Sequence, residues 1–328
     1  MSEPTRRAAI LGGLASTVMA TRLSAQAITP DLEILAQGLA FPEGIVALRD
    51  GGAMFVEIAS GTYSRLQPGA KTATTLATLG GGPNGSTIGP DGMVYIANDG
   101  GLTFKTIAGR MVPIGVPADY RGGSIQRVDP ATGAVRTLYE RIGAERLKAP
   151  NDILCDEWGD LWFTDTGKTY ARNRDNGGVY WAKRDGSEIR EIAYPLQNPN
   201  GLALGPDKRT LYVALSDRRE IAAYTITARG TLAPTSKIVA AVGGVLLFDN
   251  LAVEANGNLV VACVLSGELL SLTPEGRELA RIKITEGSPT ALAFGGPDMR
   301  SLYMTLSNSG IVARLAWPRP GLPALHRL

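Results

Sequence analysis

Between residues 149 and 165 the chain sets short apolar runs between polar punctuation in a fixed order. The polar doublet of Pro150-Asn151-Asp152 leads into Ile153-Leu154-Cys155, then an acidic turn with a glycine from Asp156 to Asp160, then Leu161-Trp162-Phe163 and Thr164-Asp165. Two apolar runs of strand length around such a turn predict a β-hairpin, with a carboxamide and a carboxylate held at its entry. The same order recurs. Pro199-Asn200-Gly201 leads through Pro206-Asp207 to Leu211-Tyr212-Val213-Ala214, and Pro83-Asn84-Gly85 through Pro90-Asp91-Gly92 to Val94-Tyr95-Ile96-Ala97. Asp249-Asn250 leads through Asn256-Gly257-Asn258 to Leu259-Val260-Val261-Ala262. Two weaker copies run from Pro42-Glu43-Gly44 to Met54-Phe55-Val56 and from Pro289-Thr290 to Leu302-Tyr303-Met304.

Six copies at this period predict a repeat architecture. The polar residues at the shared phase are 43, 84, 151, 200, 249 and 290, with steps of 41, 67, 49, 49 and 41. Each step fits one four-stranded sheet, and the long one implies an insertion in the second unit. Six such sheets around an axis form an all-β, six-bladed β-propeller whose blades contact only their neighbours. The innermost strands of a propeller line its central channel, so the residues at the shared phase converge on the axis.

Ahead of the repeats, Thr5-Arg6-Arg7 precedes an apolar run from Ala8 to Ala20, and Ser24-Ala25-Gln26-Ala27 fits a small-x-small cleavage site. Residues 1–27 are therefore expected to be an export signal, its paired arginines resembling the twin-arginine type. An amphipathic helix or a membrane anchor is the alternative, but the run is short and rich in small residues for a span. Residues 28–328 are expected to form a single propeller domain in the bacterial periplasm or outside the cell, without stable membrane insertion after processing.

Charge narrows the partners. Removing Glu3, Arg6, Arg7 and Arg22 with the leader leaves 33 − 3 = 30 basic and 31 − 1 = 30 acidic residues. A neutral chain without a basic run has no electrostatic footprint for nucleic acid. Forty glycines and twenty prolines fit many short strands and turns. Cys155 and Cys263 fall at different phases of non-adjacent blades, which predicts buried free thiols. The single histidine, His326, is expected to be a solvated tail residue. No histidine in the body leaves no Ser-His or Cys-His pair, and a poor case for zinc.

Oxygen chemistry remains. Glu43, Asn84, Asn151, Asn200 and Asp249 share the axial phase, with Asn250 beside it. Any one Asn-Gly or Asp-Gly is an ordinary turn former. Five or six copies in phase point instead to a cation, since carboxylate and carboxamide oxygens without imidazole are hard ligands suited to calcium. Manganese, magnesium and zinc stay open as alternatives. Two carboxylates buried there without a cation would be costly.

Pro42-Glu43-Gly44, Ala149-Pro150-Asn151-Asp152, Phe163-Thr164-Asp165, Asn198-Pro199-Asn200-Gly201 and Phe248-Asp249-Asn250 together resemble the senescence-marker-protein/gluconolactonase (regucalcin-like) family of six-bladed propellers, and more distantly the paraoxonases and diisopropyl fluorophosphatase. The likeness covers about residues 35 to 315. It implies one axial calcium held by Glu43, Asn151, Asn200 and Asp249, and hydrolysis of lactones, with organophosphates as substrates of some relatives. It also implies that Asp249 acts as base or nucleophile. The chain departs from the pattern at several points. Asn250 follows Asp249 where gluconolactonases usually have glycine, and Gly44 stands where a second paraoxonase-type calcium needs an acid. The paraoxonase histidine pair is missing, and Ala149 replaces an arginine of some sugar lactonases. A sugar acid lactone and a more apolar lactone or ester both stay open as substrate.

The expected chemistry is a lactone carbonyl polarised by the cation and attacked by water, with Asp249 as base. A carboxylate bound to calcium is a weak base. Asp152 is the second choice, although strand alternation points it away from Asn151. Asn84, Asp152 and Asn250 are expected substrate contacts. The insertion between Asn98 and Lys148, and the loop from Lys168 to Gly178 with Tyr170, Arg172 and Arg174, are either a substrate lid or solvated surface. The competing class is a non-catalytic binding propeller tied together by calcium, and a third reading is an organophosphate or ester hydrolase using the same residues.

Overall fold

In the computed structural model, which describes residues 31–328, six four-stranded antiparallel sheets stand around a central axis. The expected export signal, residues 1–27, lies outside the described residues. The innermost strands are Pro42–Ala47, Pro83–Ile88, Pro150–Cys155, Pro199–Leu204, Phe248–Val253 and Pro289–Gly295. Each begins one residue before a residue of the shared phase. Five of the six open on proline, whose missing N–H is harmless where the ladder begins.

The next strands outward, such as Val94–Asn98, Leu161–Asp165 and Leu259–Cys263, are buried along their whole length. They are covered on both faces by neighbouring blades, so they read as continuous apolar runs rather than alternating ones. Outermost strands such as Thr231–Ala241 are mostly exposed. Between blades lie six apolar clusters, including Trp162 and Trp181 against Leu211 and Val213. Both cysteines are free and buried in such clusters.

Two features close the ring. The first described strand, Leu32–Gln37, pairs with Ile311–Ala316 and completes the sixth blade. The C-terminal segment after Ala316 then crosses the far end of the channel. Trp317 and Arg319 both bond the fully buried Glu254 carboxylate, at 2.7 and 2.5 Å, and Leu322 N–H donates to Val253 O at 2.8 Å. His326 is half-buried rather than solvated, its Nε2 lying 3.2 Å from Asp156 O. Between this segment and the inner strands is an apolar cavity of about 320 Å³.

The long step in the second unit is explained by a hairpin, Thr103–Ile107 and Arg110–Gly115, inserted between the second and third strands of blade 2. A second two-stranded ladder, Arg141–Ile142 with Glu145–Arg146, follows that blade. The first hairpin leans back over the channel mouth. Phe104 packs on Phe41 of blade 1, ring centroids 4.9 Å apart, and Arg110–Gly115 packs against the turn Ser307–Ser309 of blade 6.

Candidate metal centre

Every innermost strand breaks register with its neighbour just after its first residue or two: between Glu43 and Val46, Pro83 and Gly85, Pro150 and Ile153, Pro199 and Leu202, Phe248 and Leu251, and Pro289 and Leu292. Such irregularities re-aim side chains at strand ends. Here they fall on the residues of the shared phase, and Glu43, Asn84, Asn151, Asn200, Asp249 and Thr290 all line one cavity of about 1010 Å³ at the mouth. The four residues implied as ligands are thus brought together, with Asn84 and Thr290 completing the ring.

The position after each has a different task. At Gly44 an added Cβ would sit 2.2 Å from Asn84 O, and at Gly201 2.6 Å from Asp249 O, so glycine lets the next blade's backbone approach the axis. In blades 3 and 5 this position holds Asp152 and Asn250. Asp152 accepts from Leu202 N–H and from the Asn250 amide, both at 2.8 Å, and Asn250 Oδ1 accepts from Leu292 N–H at 3.2 Å. Both side chains therefore pin neighbouring blades. They line the inner side of the floor and the far cavity, not the mouth cavity where they were expected to touch substrate.

The floor is electrostatically unfinished. Glu43 is buried, and its carboxylate accepts from Ser307 Oγ at 3.0 Å and Gly44 N–H at 3.3 Å. Burial, and after it the negative charge of Asp249, hold its acid well above the usual range despite those bonds and the Thr290 hydroxyl. Burial and the Asp152 charge push Asp249 up to about 7, opposed by the Asn200 side chain. Asn200 Oδ1 is itself buried with no hydrogen-bond partner. Buried carbonyl oxygens are rarely left so. Below Glu43, Asn84, Asn151, Asn200 and Asp249 is a void of about 10 Å³, which limits any occupant there to the size of a water molecule. Two mutually repelling carboxylates and a partnerless carboxamide oxygen, without imidazole or thiolate, fit a hard divalent cation.

One pair escaped the repeat pattern. Lys168 is 3 % exposed, with its ammonium 3.3 Å from Asp99 and 2.8 Å from Gly101 O, above the Tyr120 ring. Burial raises the Asp99 acid, against which Lys168 and the nearby Asn84 side chain both favour its charged form. The only sequence signal is that Lys168 opens the loop expected to be either a substrate lid or solvated surface. Of that loop, residues 168–171 and Arg174 line the cavity, and Arg174 pairs with Asp217 at 2.9 Å. From the inserted hairpin, Met111 to Gly115 line it together with Val116.

A family model described as the SMP-30/gluconolactonase/LRE-like region matches residues 41–308. The gluconolactonase of Zymomonas mobilis is 24% identical over 317 residues, covering 88% of this chain and 82% of its own. The 6-deoxy-6-sulfogluconolactonase of Pseudomonas putida is 27% identical over 244 residues, covering 62% and 83%. Among solved structures, the calcium-binding protein regucalcin from Agrobacterium tumefaciens superposes with a TM-score of 0.70 at 18% identity, covering 93% of this chain and 99% of its own. A gluconolactonase from Xanthomonas campestris gives 0.69 at 21%, covering 91% and 99%. At these identities the two structures establish the shared propeller fold.

Proposed function

The chain belongs to the SMP-30/gluconolactonase/LRE-like family, and from that premise we propose that it is a divalent-metal-dependent hydrolase of carboxylic ester bonds, a lactonase, with calcium as the expected ion. The observation that carries the metal is the floor itself, where Glu43 and Asp249 repel each other beside the partnerless Asn200 oxygen. Glu43, Asn151, Asn200 and Asp249 would hold the ion. When bound, it supplies a Lewis acid for a carbonyl oxygen.

The side chains do the rest. Ser307 and Gly44 N–H fix the Glu43 carboxylate, and the Asn200 amide favours the charged form of Asp249. Asn84 lies at the rim of the floor, where its amide can meet a substrate oxygen. Asp249 is the one carboxylate of the floor with no backbone N–H bonded to it in the structure, so it is the group free to take a proton from water. Hydrolysis adds that water to the lactone carbonyl carbon. The ring C–O bond breaks and the ring oxygen leaves with a proton, giving a hydroxy acid.

Calcium that merely tied blades together would be enclosed by protein, whereas this floor opens on a cavity of about 1010 Å³. That favours catalysis over a binding module. The test is a panel of lactones, aryl esters and organophosphate triesters on the purified protein, with chelator and with metal added back. Hydrolysis of lactones that chelation abolishes is the expected result. Turnover indifferent to metal removal would refute the metal's role, and preference for phosphotriesters would reassign the substrate. We place the protein outside the cytosol on the pattern of residues 1–27.

A further inference from the structure

The walls of the mouth cavity differ from its floor. Much of the wall is apolar: Phe41 of blade 1, Leu102 with Met111, Val112 and Ile114 from the insertion in blade 2, and Leu265 from blade 5. Ile114 and Leu265 remain 56 % and 63 % exposed, so they cover the entrance without being core residues. Polar groups line the rest, and several of them are already engaged within the protein. Lys168 is spent on Asp99 and Gly101 O, and Arg174 and Asn198 on Asp217. Thr166 bonds Ala149 O, and Ser288 and Asn308 bond each other.

A polyhydroxylated ring entering this cavity would find few free partners above the floor. Each hydroxyl it buried without one would count against binding. An alkyl group against the hairpin would instead gain by leaving water. The cavity also lies at the upper end of the usual range for small-ligand sites, more than a bare lactone ring needs.

We propose that the substrate is a lactone bearing an apolar substituent, its carbonyl at the axial floor and its substituent along the wall formed by Met111, Val112 and Ile114. The proposal rests on the lactonase reading for the reaction and on the cavity wall for the substituent. The first measurement is kcat/KM for a series of γ-lactones with n-alkyl groups from methyl to hexyl, beside glucono-δ-lactone, on the metal-replete protein. The expected result is a rise of about fourfold per methylene brought against the wall. Combining Met111→Ser with Ile114→Ser flattens that rise, whereas Ile238→Ser, at an exposed apolar site on an outer strand of blade 4, leaves it.

Binding of the matching γ-alkyl lactams, followed by calorimetry, reads the wall without chemistry. Affinity that climbs with chain length while no lactone is hydrolysed supports the apolar site and overturns the lactonase reading. A flat chain-length series, or glucono-δ-lactone turned over more than about tenfold better than the hexyl lactone, overturns the substituent and leaves the lactonase reading standing.

Discussion

Asp152 accepts a hydrogen bond from the Asn250 side-chain amide at 2.8 Å, linking blade 3 to blade 5 just beneath the axial floor. The same carboxylate takes the N–H groups of Leu202 and Ile153, at 2.8 and 2.9 Å, and burial raises its pKa to about 7. This is a fastening, turned away from the mouth. Asp152→Ala would leave three buried donors without a partner, costing about 1–3 kcal/mol for each that finds no substitute. Denaturant unfolding should show that loss, while kcat of the folded fraction stays within about tenfold of the parent. A hundredfold loss of kcat in well-folded Asp152→Asn would return Asp152 to the chemistry.

Lys168 and Asp99 form the other internal dependence, 3 % and 4 % exposed respectively. Lys168→Met strands a buried carboxylate whose pKa burial already raises. The expected cost is about 3–5 kcal/mol in urea unfolding. Adding Asp99→Asn removes the stranded charge and should recover most of it. A single variant as stable as the parent would show that the pair contributes nothing net.

The ring depends on a strand from its own N-terminus. A chain beginning at Gly38 lacks Leu32–Gln37 and leaves the edge Ile311–Ala316 open. An open edge invites pairing with another chain. Lower Tm and concentration-dependent association on size exclusion are expected. Cleavage after Ala27 would spare this strand by four residues, 28 to 31. N-terminal sequencing of exported protein should therefore begin at Ile28. A mature start beyond Leu32 would contradict both the leader assignment and the need for the closing strand.

The repeat was legible because one short pattern, proline then a polar residue then an apolar run, marks the start of five innermost strands, and Phe248-Asp249 marks the sixth. Local pattern carried that far and no further. Leu32–Gln37 closing blade 6, His326 reaching Asp156, and Lys168 meeting Asp99 all join segments far apart in the chain. Nothing in the residues flanking either partner announces such contacts. Asp152 and Asn250 misled for another reason. Their types suit substrate contact, yet they occupy the position where the other blades carry Gly44, Gly85, Gly201 and Ala291, and there a polar side chain spans to the next blade.

Proton binding at the floor should oppose metal binding. In the metal-free protein Glu43 is held well above its ordinary range and Asp249 is raised to about 7, so folded protein keeps protons that the unfolded chain releases. Stability from Asp249 then declines as pH rises from the ordinary carboxylate range to about 7, and Glu43, raised by burial, adds to the decline. A bound cation replaces the protons and removes that loss. Stripping the metal should lower Tm more at about pH 8 than at about pH 5, read by scanning calorimetry of stripped and reloaded protein. A larger drop at the lower pH would contradict the assignment of Glu43 and Asp249 as ligands.

Asn200 and Asp249 allow donation to be separated from catalysis, because they sit side by side and differ in charge. Asn200 brings a neutral oxygen that nothing in the protein satisfies. Asn200→Ala should weaken metal affinity by at least roughly tenfold, and saturating metal should restore much of the activity. Asp249 brings charge as well as an oxygen. Asp249→Asn keeps size and one donor oxygen while removing both charge and basicity. Metal affinity should fall here too. If Asp249 takes the proton from water, kcat stays roughly 10²–10⁴-fold low even at full metal occupancy. Calorimetric metal titration beside lactone hydrolysis separates the two effects. Full activity of Asp249→Asn at saturating metal would reduce Asp249 to a ligand, and unchanged metal affinity in both variants would remove the cation from this floor altogether.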